Sequence, residues 1–162
     1  MPLVKATISS MLTSTFDQHP ASVADAASQW ADAYVAYASA AMTSTGGAAT
    51  TAQAGKGTLL SAFSGAFATQ DAQGAAGAIS AGVMAFWMSI VWQGAGTGVT
   101  TSPGNASLTS ELGSVFSDTE EASASAKAGK VADAFDTGAK TVVVTDTIPA
   151  APTPVVVIAP IQ

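Results

Sequence analysis

Apolar side chains recur every three or four positions through most of residues 1–140. The first such run extends from Val4 to Phe16, with Ser and Thr between the apolar residues, as one face of an amphipathic helix requires. Pro20 ends the run, because proline has no backbone N–H and pushes His19 out of the helical region. The pattern predicts a first helix over Val4–Phe16.

The strongest helical signal follows, from Pro20 to Met42. Apolar residues lie on one face at spacings of three and four, and Pro20 suits the first helical turn. Three aromatic residues dominate this face, and such a row is typical of a protein core or of an interface between helices. They are the first candidate interface residues: Trp30, Tyr34 and Tyr37.

Four further helices are predicted before residue 140. The third covers 59–67, and the fourth covers the uncharged stretch 75–92. Asn105 suits the N-cap of the fifth, since its side chain accepts a hydrogen bond from the first turn. Asp118 and Glu121 have the spacing of a capping box and predict the start of the sixth.

Three short amphipathic helices each precede an Ala-rich helix, which suggests an internal repeat. The C-terminal segments of these three helices resemble one another, and they are Leu12–Asp17, Phe63–Phe67 and Leu112–Asp118. Two explanations remain open, a threefold repeat of helix pairs and the general similarity of short amphipathic helices.

The fourth helix raises the question of a membrane span. Ala75–Trp92 is 18 uncharged residues long, which is the lower edge of what crosses a bilayer. Its first half is diluted with Ala and Gly, and neither flank carries the Lys or Arg that would set its orientation. We therefore expect a buried central helix and no membrane contact, with a membrane-embedded helix as the alternative.

After Thr141 the chain becomes β-branched. Two β-prone runs, Thr141–Ile148 and Val155–Gln162, are separated by three prolines. At about 3.3 Å per residue this segment would reach roughly 70 Å if it were fully extended. It can add a strand to a neighbour's sheet, or it can pair within its own domain or stay partly disordered, and both possibilities remain open. Its candidate interface residues are Val142, Val144, Val155, Val157 and Ile158.

The predicted fold is mainly α, a bundle of about five to six helices with a C-terminal extended β arm. Residues 1–140 form the helical body and residues 141–162 the arm. The Gly-, Thr- and Ser-rich stretches 43–51 and 94–104 are predicted to be loops.

The charge and composition exclude several classes of function. Eleven acidic residues stand against five lysines, giving a net charge of −6, and arginine is absent. The bidentate contacts that read phosphate and guanine are therefore missing, so direct sequence-specific nucleic-acid binding is not expected. The chain has no cysteine and one histidine, His19, which a polar turn accommodates. We predict no metal, no cofactor and no enzymatic activity.

Several features occur together: Ala/Thr/Ser/Gly-rich helices, 10% charged residues, the Ala85–Trp87 segment, the Ser102–Gly104 loop leading into Leu108–Phe116, and a Val/Pro-rich end. In this combination the chain resembles small virion proteins from the structural modules of tailed bacteriophages. The resemblance implies a non-enzymatic, multi-copy subunit of a head, neck or tail assembly, located in the virion. It implies contacts with further copies of the chain and with other virion proteins. The alternative is a small membrane-active or membrane-embedded protein that uses residues 75–92.

Overall fold

The computed structural model describes residues 3–104, 106–120, 123–150 and 153–162. Within them the chain forms helices and a five-stranded antiparallel sheet. The helices are α1 (Lys5–Gln18), α2 (Val23–Ala38), α3 (Lys56–Ala68), α4 (Ala72–Ser89), α5 (Leu108–Ser117) and α6 (Ala124–Ala139). The strands are β1 (Ala48–Ala49), β2 (Val91–Gln93), β3 (Thr97–Ser102), β4 (Val143–Ile148) and β5 (Val155–Pro160). The fold is mixed α and β, so the predicted mainly α bundle with strands only in a C-terminal arm is correct for the helices and wrong for the sheet.

The helices form a closed ring, in which each helix packs against the next and α6 packs against α1. The ring consists of the pairs α1–α2, α3–α4 and α5–α6. Each pair leads directly into strand-forming residues, which are 42–49 after α2, β2 and β3 after α4, and β4 and β5 after α6. The chain therefore repeats a unit of two helices and two strand segments three times.

Aromatic side chains fill the helical ring around Trp30. Its ring centroid lies 5.1 to 6.4 Å from those of Phe16, Phe63, Phe67, Phe116 and Phe135. One turn further along α2, the Tyr34 ring packs against Phe86, Trp87 and Phe135, mostly edge to face. This geometry favours aromatic pairs beyond the area that they bury, so these contacts add to the stability of the helical ring.

Side-chain N-caps begin the second helix of each pair. They are Ser22, Asp71 and Ser123. The predicted N-cap of the sixth helix at Asp118 is wrong, since α6 begins at Ala124 and Asp118 ends α5 instead. The predicted partner of that cap, Glu121, and the predicted N-cap of the fifth helix, Asn105, lie outside the described residues.

Helix α4 lies in the interior of the protein, as the sequence analysis favours. Its residues Ile79, Val83 and Trp87 are fully buried. The helix ends at Ser89, so the last residues of the predicted helix belong to β2. In the part of the chain that the structure describes, no helix has both the length and the apolar character that crossing a membrane requires.

The strands lie in chain order, β1-β2-β3-β4-β5, and every pairing is antiparallel. Two single bridges extend the pairing: Met42 lies opposite Ala48 of β1, and Thr43 lies opposite Ile161, just after β5. Backbone pairing therefore runs from β5 through residues 42–43 back to β1. It closes a ring where the chain leaves helices α2, α4 and α6.

Two stretches that the sequence assigns to loops contribute to the sheet. β1 lies within 43–51, and β3 lies within 94–104. β3 contains Gly98, where a Cβ atom would overlap the Asp146 carboxylate and lie 2.8 Å from a Val144 methyl group. Glycine is needed here because a neighbouring strand approaches closely, whereas local composition alone indicates a turn.

Candidate functional site

The C-terminal hairpin of β4 and β5 is built from β-branched residues that alternate between two faces. The two strands pair over their full length, with Val144 opposite Ala159 and Thr145 opposite Ile158. The first pair is buried on the inner face, and the second lies on the outer face. Alternation of this kind is expected for a sheet with one solvated face.

The outer face of the sheet is uncharged and partly apolar. Two rows of side chains cross β3, β4 and β5: Val99–Thr145–Ile158 and Thr97–Thr147–Val156. Ile158 is 73% exposed, Val156 63% and Val99 56%. The single charged residue in the five strands, Asp146, is buried on the other face. Large apolar side chains at adjacent exposed positions mark a candidate interaction surface.

Strand β5 has an open edge over its first half. Along an antiparallel strand, alternate residues direct their N–H and C=O groups to opposite neighbours. The Pro160 C=O accepts a hydrogen bond from the Ser44 N–H at 3.1 Å, so Val156 and Ile158 turn their backbone groups to this same side. Among the described residues, no other segment hydrogen-bonds to them there. Pro154 and Pro160 lie an even number of residues from Val156 and Ile158, so they belong to the same side of the strand, but they have no N–H group. The open edge between them therefore offers two donors, the N–H groups of Val156 and Ile158.

On the inner face of the sheet, Asp146 connects the β4–β5 hairpin to residues 43–45. Its carboxylate accepts hydrogen bonds from the Thr43 hydroxyl at 3.1 Å and from the Thr45 hydroxyl. Thr43 in turn accepts a hydrogen bond from the Gly47 N–H at 2.7 Å. A buried carboxylate is costly unless it is hydrogen-bonded, so these contacts favour one register of β4 against residues 43–47.

The structure separates the candidate interface residues into two groups. Five are buried within the chain and are not exposed to a partner: Trp30, Tyr34, Tyr37, Val142 and Val144. Val155 and Ile158 are exposed on β5, and Val157 is half-buried. The exposed candidates therefore lie together on one strand.

The two tyrosines serve the core through their hydroxyl groups. The Tyr34 hydroxyl accepts a hydrogen bond from the Trp87 indole N–H at 2.8 Å, and the Tyr37 hydroxyl donates to Asp136 at 2.8 Å. Burial raises the pKa of Tyr34 far above its ordinary value. Burial, and then the hydrogen bond to Asp136, raises the pKa of Tyr37 in the same way. Both phenols therefore stay neutral and act as structural hydrogen-bonding groups.

Asp118, Lys130 and His19 lie nearer the surface. Lys130 Nζ lies 2.5 Å from Asp118 Oδ2, and this hydrogen bond lowers the pKa of Asp118 and raises that of Lys130. His19 ends α1 with a left-handed backbone, φ 51°, and an exposed ring, as expected for a turn residue. Among the described residues, no three His, Cys, Asp or Glu side chains come together as a metal site.

Two residues of the exposed surface were missed by the sequence analysis. Val99 lies in a stretch assigned to a loop, and Val156 was not distinguished from its neighbours in a run of valines. The signal for Val156 is its parity with Pro154 and Pro160, which becomes informative only once the pairing of β5 with β4 is known.

No family model matches the chain, and comparison with curated proteins and with solved structures gives no match either.

Proposed function

We propose that this protein is a non-enzymatic, multi-copy structural subunit of a tailed-phage virion, in the head, neck or tail. The observation that carries the proposal is the open edge of β5, where Val156 and Ile158 expose backbone groups and side chains in an uncharged sheet. An exposed edge of this kind pairs with another strand unless it is covered. Copies of the chain would then join by extending their sheets into one another.

The prolines limit this pairing to one register. Two copies of β5 related by a twofold axis at Val157 place Val156 of one copy opposite Ile158 of the other. Each such pair exchanges two backbone hydrogen bonds, so the contact gains about four. Pro154 and Pro160 end the edge on either side and prevent a longer ladder. The result is a closed contact between two copies.

The side chains add an apolar contribution on the outer face. Burying Val156 and Ile158, which are mostly exposed, contributes about 1 to 2 kcal/mol for each. An interface of one strand from each copy is smaller than the roughly 1,200 to 2,000 Å² of stable complexes. It therefore gains strength when several contacts act together, as in a multi-copy particle.

The charge distribution favours contact through the sheet. Each copy carries a net charge of −6, so copies repel one another where carboxylates face each other. The strands hold only the buried Asp146, and pairing through β5 brings no carboxylate against another. The sheet is thus the face on which like-charged copies meet at the least electrostatic cost.

The membrane-active alternative uses residues 75–92. It would require α4 to leave the helical ring, where Ile79, Val83 and Phe86 are fully buried. Exposing these side chains removes much of the core, so the packing of α4 favours the structural proposal.

The contact is tested by measuring the mass of the full chain over a range of concentrations, by sedimentation or native mass spectrometry. We expect a reversible dimer that Ile158→Asp abolishes, because a carboxylate enters the contact. Val156→Pro should abolish it as well, since it removes a donor from the open edge and no hydrogen bond to β4. Val99→Asp is the matched control, with the same charge on the same face two strands away. A wild-type chain that stays monomeric, or variants that dimerise normally, would contradict pairing through β5.

The location in a virion needs a separate measurement. Quantitative mass spectrometry of purified tailed-phage particles, produced from the genome that encodes the chain, should find the chain in several copies per particle. Its absence from intact particles would exclude the virion role, even if the dimer forms.

A further inference from the structure

The end of the helical ring away from the sheet carries a second surface, which we call the aromatic end. It is formed by Phe16, Trp30, Phe67 and Phe116. The three phenylalanines come from the last turns of α1, α3 and α5, one from each repeated unit, and they surround Trp30. Trp30 is buried, whereas the phenylalanines are only partly buried.

Three depressions lie between these rings. One of about 230 Å³ is lined mainly by Phe16, Pro20, Ala26, Trp30 and Phe67. A second, of about 300 Å³, lies between Phe16, Phe67 and Phe116, and a third of similar volume lies between Phe67, Asp71 and Phe116. All three are lined by Phe67, so they adjoin one another, and we refer to them together as the trough; the first two are mainly apolar, and the third also contains Thr69, Gln70 and Asp71. Each alone is at or below the roughly 300 to 1,000 Å³ of small-molecule pockets. The trough suits a chain segment that presents successive apolar side chains.

Three carboxylates lie at this end of the molecule, in the last turn of α1, in the first turn of α2 and at the start of α4. Asp17 follows Phe16, Asp25 precedes Ala26, and Asp71 lines the third depression, all of them exposed. Of the two lysines here, Lys130 pairs with the Asp118 carboxylate at 2.5 Å, whereas Lys127 lines the second depression, donates to the Asp118 C=O at 2.9 Å and keeps its positive charge, which the three carboxylates outnumber. The helix dipoles do not offset this charge, since three helices begin here and three end here. The rim is therefore acidic.

We infer that the aromatic end binds an amphipathic helical segment of another protein, with apolar anchors in the trough and Lys or Arg along its flanks. Helix-in-groove recognition uses apolar side chains at positions i, i+3, i+4 and i+7, and basic flanks complement the exposed carboxylates. A second copy of this chain does not fit, because it would bring the same acidic rim against the first. An anionic membrane surface is repelled for the same reason.

The test uses two synthetic helical peptides of about five turns, each with Leu at the anchor positions and Ala at the other positions of that helix face. The rest of each peptide carries Lys in one case and Glu in the other. Calorimetric titration of the full chain should show binding of the Lys peptide that weakens as salt is added, and no binding of the Glu peptide. Failure of the Lys peptide to bind at low salt would overturn the inference.

Paired variants separate the trough from general attraction to an acidic protein. Ala26→Phe fills the first depression and should lower the affinity about tenfold or more, whereas Ala24→Phe, on the same helix but outside the lining, should leave it unchanged. Asp17→Lys should lower the affinity by a few-fold, and Glu111→Lys, the same change at the far end of α5, should not. Equal binding to all four variants would show non-specific attraction and refute the site. If Ala26→Phe fails to fold, as judged by circular dichroism, the pair Asp17→Lys and Glu111→Lys decides the outcome.

This inference stands apart from the proposed dimer. The peptide binds at the opposite end of the molecule from β5, so Ile158→Asp should leave its affinity unchanged. Loss of the dimer with retained peptide binding, or the reverse, therefore distinguishes failure of one proposal from failure of the other.

Discussion

The helical ring and the sheet use their large apolar residues in opposite ways. In the helical ring, Trp30, Tyr34 and Phe63 are enclosed by other aromatic side chains, and the Tyr34 hydroxyl and the Trp87 indole N–H form a hydrogen bond with each other. In the sheet, Val156 and Ile158 stay exposed on a strand with an open edge. A solvated valine or isoleucine adds little to the stability of its own fold, whereas a buried aromatic ring adds several kcal/mol.

The two regions therefore have different roles, the helical ring in stability and the outer face of the sheet in association. The interior of the helical ring is packed within one chain, so it can form the stable part of the molecule without a partner. The sheet satisfies its inner face through Asp146, Thr43 and Thr45 and leaves its outer face uncovered. Substitutions of the buried side chains in the helical ring should therefore change folding, and substitutions on the outer face of the sheet should change assembly.

We expect Trp30→Ala to have the largest effect on the free energy of unfolding. It removes the ring around which five phenylalanines pack and should lower the free energy of unfolding by about 3 to 5 kcal/mol. Ile158→Ala, at a 73% exposed position, should change it by less than about 0.5 kcal/mol. Urea unfolding of both variants at a concentration where the chain is monomeric measures the contrast. Similar losses for the two would mean that the sheet's outer face is as important for folding as the ring.

Next in size is Gly98→Ala, which sharpens the comparison by testing the inner face of the sheet. The added methyl group would overlap the Asp146 carboxylate, so we expect a loss of about 1 to 3 kcal/mol in the free energy of unfolding. The matched control is Gly65→Ala on α3, where the space around the Cβ is open. There, the lower backbone entropy of Ala in the unfolded chain should add about 0.5 to 1 kcal/mol. The unfolding temperature should fall for Gly98→Ala and rise for Gly65→Ala. An unchanged unfolding temperature for Gly98→Ala would contradict the close approach of β4 to Gly98.

A smaller loss is expected for Tyr37→Phe. It removes the hydrogen bond to Asp136 and leaves the ion pair of that carboxylate with Lys140, at 2.6 Å, in place. We expect a loss of about 1.5 kcal/mol, measured by urea unfolding. On the sheet surface, Thr101→Val removes an exposed hydroxyl contact with Thr145 and should be nearly neutral. Equal losses of unfolding free energy for Tyr37→Phe and Thr101→Val would contradict the expectation that the buried hydrogen bond contributes more than the exposed one.

The smallest effect concerns the ion pair of Asp118 and Lys130. Lys130→Met should raise the pKa of Asp118 towards its ordinary value, because the hydrogen bond that lowers it is lost. A depressed carboxyl pKa contributes stability above the unfolded-state value, and that contribution disappears as the pH falls through the folded-state pKa. NMR titration of the Asp118 side chain should detect the change, with no measurable effect on unfolding at neutral pH for so exposed a pair. An unchanged pKa would assign the shift to the Glu120 N–H, which also donates to this carboxylate.

The sequence by itself determined the helices and the apolar faces that they bury. The spacing of Trp30, Tyr34 and Tyr37 predicts their common face, and Pro20 marks the break before α2, because helical periodicity and proline geometry are local properties. The β-branched runs after Thr141 likewise predict β4 and β5.

Only the tertiary structure decided which strands pair and which faces remain open. β3 has the Gly, Thr and Ser content of a loop and becomes a strand because β2 and β4 supply its hydrogen bonds. Val144 and Ile158 have similar β propensity, yet register buries the first and exposes the second. A shift of one residue exchanges the two faces of a strand, so the exposed edge of β5 and the convergence of Phe16, Phe67 and Phe116 depend on contacts between residues far apart in the chain.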